Sequence, residues 1–113
     1  MSVLDKAKTH WAALKRGTVH VPEWAGDEFD GIVHFDRLTV SDQQRMAPRL
    51  KSDPFGTGVR LVMTRAQDGG GKRLFDDEAS TFAALLNEVS PQVLERIIAA
   101  MSSLPSEADA AKN

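Results

Sequence analysis

Three histidines are the side chains in this sequence best suited to metal binding or proton transfer. They are His10, His20 and His34, and no two of them have the i, i+4 spacing that places two ligands on one face of a helix. His20 and His34 could lie across a hairpin on its outer face, but no cysteine is present to supply a further ligand. We interpret the histidines as ordinary exposed positions and expect no metal site.

Two further segments have compositions that also occur in active sites. The run Asp76, Asp77 and Glu78 offers neighbouring carboxylates, yet acidic residues are favoured in the first turn of any helix because they complement its dipole. The segment 68–72 (DGGGK) is rich in glycine, but it lacks the full phosphate-loop spacing and no apolar strand leads into it. We interpret the first as a helix start and the second as a tight turn, and we expect neither enzyme activity nor a cofactor.

Length and composition set the outer limits. A chain of 113 residues can bury a modest core as one domain, which we place at residues 1–104, and the small polar residues 105–113 predict a flexible tail. The absence of cysteine favours a reducing compartment. Charged residues interrupt the N-terminal region where a signal peptide needs an apolar run, and no segment approaches a membrane span. We therefore expect a cytoplasmic protein without membrane contact.

The spacing of apolar residues predicts an α+β fold that begins with one helix and a β-hairpin. Apolar residues recur at helical spacing in segment 3–14, with Trp11 expected in the core and Gly17 expected to close the helix. Alternating segments at 18–21 and 32–35 predict two short strands that pair around a long acidic tip.

The first half of the remaining chain is expected to be mainly helical. Thr39 or Ser41 can cap a helix, since each is followed three residues later by a side chain that completes a capping box. Pro48 is expected to kink or end that helix, and segment 52–58 (SDPFGTG) is interpreted as a break.

The second half predicts a third apolar stripe and then a helical hairpin. The stripe falls in segment 59–66 and stops at the glycine-rich turn. Asp76 or Asp77 is expected to cap the next helix, and Ser90 with Pro91 at the first helical position opens the last one. Because few residues separate these two helices, they should fold back on each other.

Charge is unevenly distributed along the chain. Residues 37–73 hold eight basic and three acidic residues, net +5, whereas residues 74–113 hold two basic and seven acidic residues, net −5. One interpretation is an ordinary solvated surface, on which scattered charge contributes little. The other is a dipolar subunit whose basic surface meets the acidic surface of a neighbour in a homo-oligomer.

Five residues are candidates for contact with a partner. Trp24 and Phe29 lie in the acidic loop, where they either clamp the hairpin onto the helices or anchor a partner protein, since Trp is over-represented at interface hot spots. Arg45, Arg49 and Arg60 belong to the basic middle segment and complete the set.

Three short segments, taken in order, resemble one protein family. They are TVHVPEW at 18–24, HFDRLT at 34–39 and DGGGKRLFDDE at 68–78, and the pattern is similar to that of tailed-phage tail assembly chaperones of the long, non-contractile tail type. The resemblance implies a non-catalytic chaperone of a phage or prophage that binds the tape measure protein and helps recruit tail tube subunits during virion assembly. The loop at 26–31 and the extra glycine of the later turn depart from that pattern and leave loop-mediated contacts in doubt.

Two other classes of function stay open at this point. The basic middle segment is compatible with a small nucleic-acid-binding or regulatory protein of a mobile element, although the isoelectric point is acidic and no aromatic residue is interleaved with the cations, so nucleic acid is not the expected partner. An enzyme of unrecognised type is disfavoured by the same residue inventory.

Overall fold

The computed structural model describes residues 2–102 and confirms the α+β prediction. The predicted flexible tail at 105–113 lies outside the described residues. The elements, in chain order, are α1 (Val3–Leu14), β1 (Arg16–His20), a 3₁₀ turn (Pro22–Trp24), β2 (Ile32–Asp36), α2 (Val40–Ser52), α3 (Pro54–Arg65), α4 (Ala79–Asn87) and α5 (Pro91–Ser102).

The predicted β-hairpin is confirmed. β1 and β2 pair antiparallel with Arg16 opposite Asp36 and His20 opposite Ile32. The alternation in β2 sends Val33 and Phe35 into the core, where neither side chain is exposed. The hairpin therefore forms one layer of the protein, and the helices cover its inner face.

The helix α3 lies at the centre of the core. It packs against α2, α4 and α5, and its buried residues include Val59, Leu61, Val62 and Met63. The prediction of a break at 52–58 was wrong in extent, because only Asp53 separates α2 from α3. The Asp53 carboxylate accepts a hydrogen bond from the backbone N–H of Gly56 at 3.0 Å, and this cap allows the helix to start immediately.

The helix α2 begins as the sequence predicts but continues further. Thr39 is its cap, and Thr39 and Asp42 form a reciprocal capping box through distances of 3.0 and 3.1 Å. The prediction was that Pro48 kinks or ends this helix. Pro48 does not end it, because α2 continues to Ser52. Proline has no backbone N–H and cannot donate the helical hydrogen bond to the carbonyl one turn earlier. Because Pro48 is on the exposed side of α2, water can satisfy that carbonyl.

The helix α1 differs most from expectation. None of its residues is buried, and Trp11 is only half-buried, so the placement of Trp11 in the core was wrong. The reason is that the main packing partner of α1 is β1 alone. Gly17 does not close this helix either; α1 ends at Leu14 and Gly17 is a buried residue of β1.

The turn that precedes α4 is built on one carboxylate. Asp68 accepts hydrogen bonds from the backbone N–H groups of Gly70 and Lys72, at 2.9 and 3.0 Å, and Gly71 takes a positive φ of 86°. This confirms a tight turn. The prediction that Asp76 or Asp77 caps α4 was wrong, since Glu78 occupies the cap position without a side-chain cap bond.

The last two helices start and stop close to the predicted positions. Ser90 precedes Pro91, and its hydroxyl accepts a hydrogen bond from the backbone N–H of Val93 at 3.5 Å. Both α4 and α5 pack on α3. Across residues 2–102, no helix has the length and apolar character needed to cross a membrane.

Candidate partner-binding surfaces

An apolar groove runs along the outside of the helical layer. Its cavity volume is about 660 Å³, and it lies between α3, α4 and α5. The face of α5 that lines it extends from Pro91 through Leu94 and Ile98 to Ser102. Since α5 has 12 residues and each adds about 1.5 Å, the groove is roughly 18 Å long.

Two exposed apolar side chains border this groove. Phe55 of α3 is 79% exposed and Leu86 of α4 is 45% exposed. Single exposed apolar residues are common on protein surfaces, but here they adjoin a concave apolar floor. Such a surface has the shape and chemistry that an amphipathic helix recognises.

The floor of the groove depends on a glycine. A Cβ added at Gly58 would come within 2.8 Å of the δ-methyl carbon of Ile98. The missing side chain lets α3 and α5 approach closely, so Ile98 lies over the backbone of α3. Glycine is unfavourable inside a helix, but at Gly58 its lack of a side chain is what allows this close packing.

One acidic side chain lines the groove, and a second lies next to lining residues in the chain. Glu95 of α5 lines it, and Glu88 lies between two lining residues, Asn87 and Val89. Neither carboxylate makes an ion pair with any residue in the range 2–102. The groove therefore combines an apolar floor with unpaired negative charge at its edge.

The three arginines proposed for partner contact come together on a second surface. Arg45 and Arg49 of α2 and Arg60 of α3 line one cleft of about 460 Å³, to which Arg65 also contributes. We call this surface the arginine cleft. Arg60 lies over the ring of Phe82 with its guanidinium carbon 4.3 Å from the ring centroid, a cation–π contact that fixes its position.

Carboxylates neutralise part of the arginine cleft. Asp42 pairs with Arg45 and, at 3.2 Å, with Arg65. The backbone N–H of Thr39, which donates to this carboxylate, holds the pKa of Asp42 below its ordinary value, and the two arginines act in the same direction. Arg49 has no ion-pair partner within residues 2–102. The cleft therefore keeps a net positive charge that is smaller than its number of arginines suggests.

The two aromatic candidates of the acidic loop lie elsewhere. Trp24 and Phe29 are both half-buried and pack against the core, and Trp24 meets Phe75 edge to face with 5.8 Å between ring centroids. Beside them, Glu23 and Arg96 form a bidentate pair at 2.7 and 2.8 Å. These contacts join the loop to the helical layer, which favours the clamp interpretation for Trp24.

The histidines do not assemble into a site. His20 and His34 lie on the outer face of the hairpin, where they are diagonal neighbours because Thr18 is opposite His34 and Ile32 is opposite His20. Within the part of the chain that the structure describes, no group of three metal-ligating side chains comes together.

Sequence reasoning missed the residues that form the groove. Phe55 and Gly58 fall in the segment 52–58 that was interpreted as a break, and Leu86 and Ile98 were not singled out for partner contact. No local signal marks them, because α5 also packs on β1 and β2, and an apolar helix face does not show which part of it these contacts leave exposed.

Comparison of the chain with protein-family models, curated proteins and solved structures gives no match.

Proposed function

We propose that this protein is a non-catalytic tail assembly chaperone of a phage or prophage, acting in the host cytoplasm. In this role it binds the tape measure protein and helps recruit tail tube subunits. The observation that carries the proposal is the apolar groove between α3, α4 and α5, and the resemblance of the three sequence segments supplies the identity of the partner.

The groove supports this role because it fits the exposed apolar face of a helix. A tape measure protein that is long and helical would present such faces before it is enclosed by the tail tube. Covering them keeps the partner from aggregating, and the unpaired carboxylates of Glu88 and Glu95 would favour a helix with basic flanks. No step of this role needs bond-making chemistry.

The strength of binding depends on the two exposed apolar side chains. Full burial of a Phe or Leu side chain contributes about 1.5–3 kcal/mol. Scaled by exposures of 79% and 45%, Phe55 and Leu86 would together contribute roughly 3 kcal/mol, which corresponds to about a hundredfold in Kd.

Co-expression tests the proposal. The tape measure protein should be more soluble, and should co-elute in size exclusion, when this protein is present. The double variant Phe55→Gln/Leu86→Gln should lose most of that effect. The matched control Val40→Gln/Leu50→Gln changes two exposed residues of α2, which are 71% and 51% exposed, and should behave as wild type. Unchanged solubility with the wild-type protein and no complex would refute the assignment.

A second candidate function rests on the arginine cleft. Because Arg45, Arg49 and Arg60 line one concave surface, a phosphate backbone is the ligand that this cleft would take. A mobility-shift titration with bulk duplex DNA at low and moderate salt separates the candidates. Binding that weakens steeply with salt and is lost in Arg49→Gln/Arg60→Gln would favour nucleic acid over the chaperone role.

A further inference from the structure

We propose that the groove also accepts helix α1 of a second copy of this chain, so that the protein assembles head to tail and occupies its own binding site until a partner displaces it. This inference deepens the proposed function, on which its regulatory meaning rests, because it names what competes for the same groove. It is carried by the exposed face of α1, the charges of the two surfaces and the attachment of α1 to β1.

Within residues 2–102, the first two turns of α1 present an apolar face that stays exposed. Val3 is 84% exposed and Leu4 is 63% exposed, and Ala7, one turn later, is exposed as well. Only the C-terminal end of the helix, at Trp11 and Leu14, is half-buried against the hairpin. A 12-residue helix is marginal in water without packing, so its first two turns would gain from a surface that covers this face.

The polar flanks of α1 match the border of the groove in charge. At 100° per residue, Lys8 and Lys15 follow the apolar stripe on one side, and Lys6 precedes it on the other. These three lysines make no ion pair with residues 2–102, and neither does Glu95, which lines the groove, or Glu88, which lies between the lining residues Asn87 and Val89. A stripe with basic flanks and a groove with acidic borders are complementary in both apolarity and sign of charge.

The attachment of α1 prevents it from reaching the groove of its own molecule. Lys15 alone separates α1 from β1, and its carbonyl accepts a hydrogen bond from the backbone N–H of Arg37 at 2.8 Å. The guanidinium of Arg37 also donates to the carbonyl of Leu14 at 2.6 Å. The exit direction of α1 is therefore fixed by hydrogen bonds from Arg37, the residue that follows β2, and the single residue between α1 and β1 leaves no linker that would allow the helix to turn back.

The terminal segment of the same chain is a poorer occupant than α1. Residues 103–113 contain one large apolar side chain, Leu104, and two acidic residues against one basic residue. Their composition supplies neither an apolar stripe nor a net positive charge. The occupant that the composition favours is α1 of a neighbour.

An interface of this kind is heterologous, because the helix of one copy meets the groove of the next. Each added copy leaves one free groove and one free α1, so growth continues or closes into a ring. A partner helix that binds the groove ends this growth by competition. The assembly thus stores the protein with its apolar surfaces covered.

Complementary variants test this geometry by analytical ultracentrifugation. The helix variant Val3→Gln/Leu4→Gln keeps a good helix-forming residue and leaves the charge unchanged. The groove variant is Phe55→Gln/Leu86→Gln, and Val40→Gln/Leu50→Gln is the control. All substituted side chains are exposed, and circular dichroism verifies that each variant is folded.

Wild type and control should form oligomers that dissociate as salt rises, because exposed charge complementarity is screened over about 8 Å at physiological ionic strength. The helix variant and the groove variant should each have a Kd for association at least tenfold weaker. An equimolar mixture of the two should recover the affinity of wild type but stop at a dimer, since only one competent helix and one competent groove are present.

Several results would overturn the inference: a wild-type protein that stays monomeric at high concentration and low salt, a helix or groove variant that assembles as wild type, or a mixture that forms no dimer. Removal of residues 103–113 should leave assembly unchanged. Loss of assembly in this truncated protein would show that residues 103–113 are the occupant of the groove.

The proposed function is tested separately, by binding of the tape measure protein. If that protein binds while the pure chain never associates, only this inference fails; if the chain assembles but binds no tape measure protein, the proposed function fails.

Discussion

Replacement of Gly17 by Ala isolates one close contact in the core. Gly17 is buried in β1 opposite Phe35, and its φ is not positive, so an alanine would meet no backbone strain there. The added Cβ would lie 2.6 and 2.7 Å from the Cε2 and Cζ carbons of the Phe35 ring, and 3.1 Å from the Cζ carbon of Arg37. Phe35 has no exposed surface into which its ring could move.

The expected cost follows from two opposing effects. Overpacking a core contact destabilises by roughly 1–3 kcal/mol. Alanine in a strand gains about 0.5–1 kcal/mol over glycine, because less backbone entropy is lost on folding. The free energy of unfolding should therefore fall by about 1–2 kcal/mol, and Tm should fall by roughly 4–8 °C for each kcal/mol in a domain of this size.

Urea unfolding followed by circular dichroism measures this change. Gly26→Ala is the matched control, since a Cβ at Gly26 meets no atom within 4 Å and its φ is not positive. The control should be neutral or more stable by up to about 1 kcal/mol. A Gly17→Ala protein as stable as wild type would refute the claim that Phe35 is held rigidly over this strand.

Three further predictions concern ion pairs and packing. The bidentate hydrogen bond from Arg96 lowers the pKa of Glu23 to about 2. The pair therefore stabilises the fold above the ordinary pKa of Glu, and this stabilisation is lost as the pH falls towards 2. In urea titrations, Glu23→Gln should be less stable than wild type at pH 6 and equally stable near pH 2. The pKa of Asp42 is also lowered, chiefly by the Thr39 backbone N–H, so Asp42→Ala should lose roughly 1–3 kcal/mol at neutral pH and progressively less in acid, as followed by thermal unfolding. Ile97 has no exposed surface, and Ile97→Ala should cost about 2–5 kcal/mol by chemical denaturation, with the smaller value if the neighbouring helices close the cavity.

The sequence alone determined the elements whose signals are local. Alternation in β2 placed Val33 and Phe35 on one face, because successive side chains of a strand point to opposite sides. The sequence narrowed the cap of α2 to Thr39 or Ser41, and the structure has Thr39; the Ser90–Pro91 start of the last helix was readable for the same reason, since each signal depends on residues within one turn. The α+β class followed from these elements.

The grouping of part of the candidate site was also within reach of the sequence. Arg45, Arg49 and Arg60 were selected for their charge, and the structure brings all three to one cleft because α2 and α3 pack side by side. Trp24 and Phe29 were selected with them but lie against the core. Their assignment to partner contact, like the family resemblance, stays a prediction.

Only the tertiary structure decided where the apolar surfaces meet and where they stay uncovered. Gly56 and Gly58 signal a break by propensity, yet they lie inside α3, because the Asp53 cap starts the helix and the close approach of Ile98 uses the missing Cβ. The stripe of α1 has the pattern of a buried helix, but β1 is its main packing partner and the first two turns stay exposed. Whether a helix face is covered depends on contacts between residues far apart in the chain, which periodicity does not encode. The groove and the exposed face of α1 are consequences of that packing.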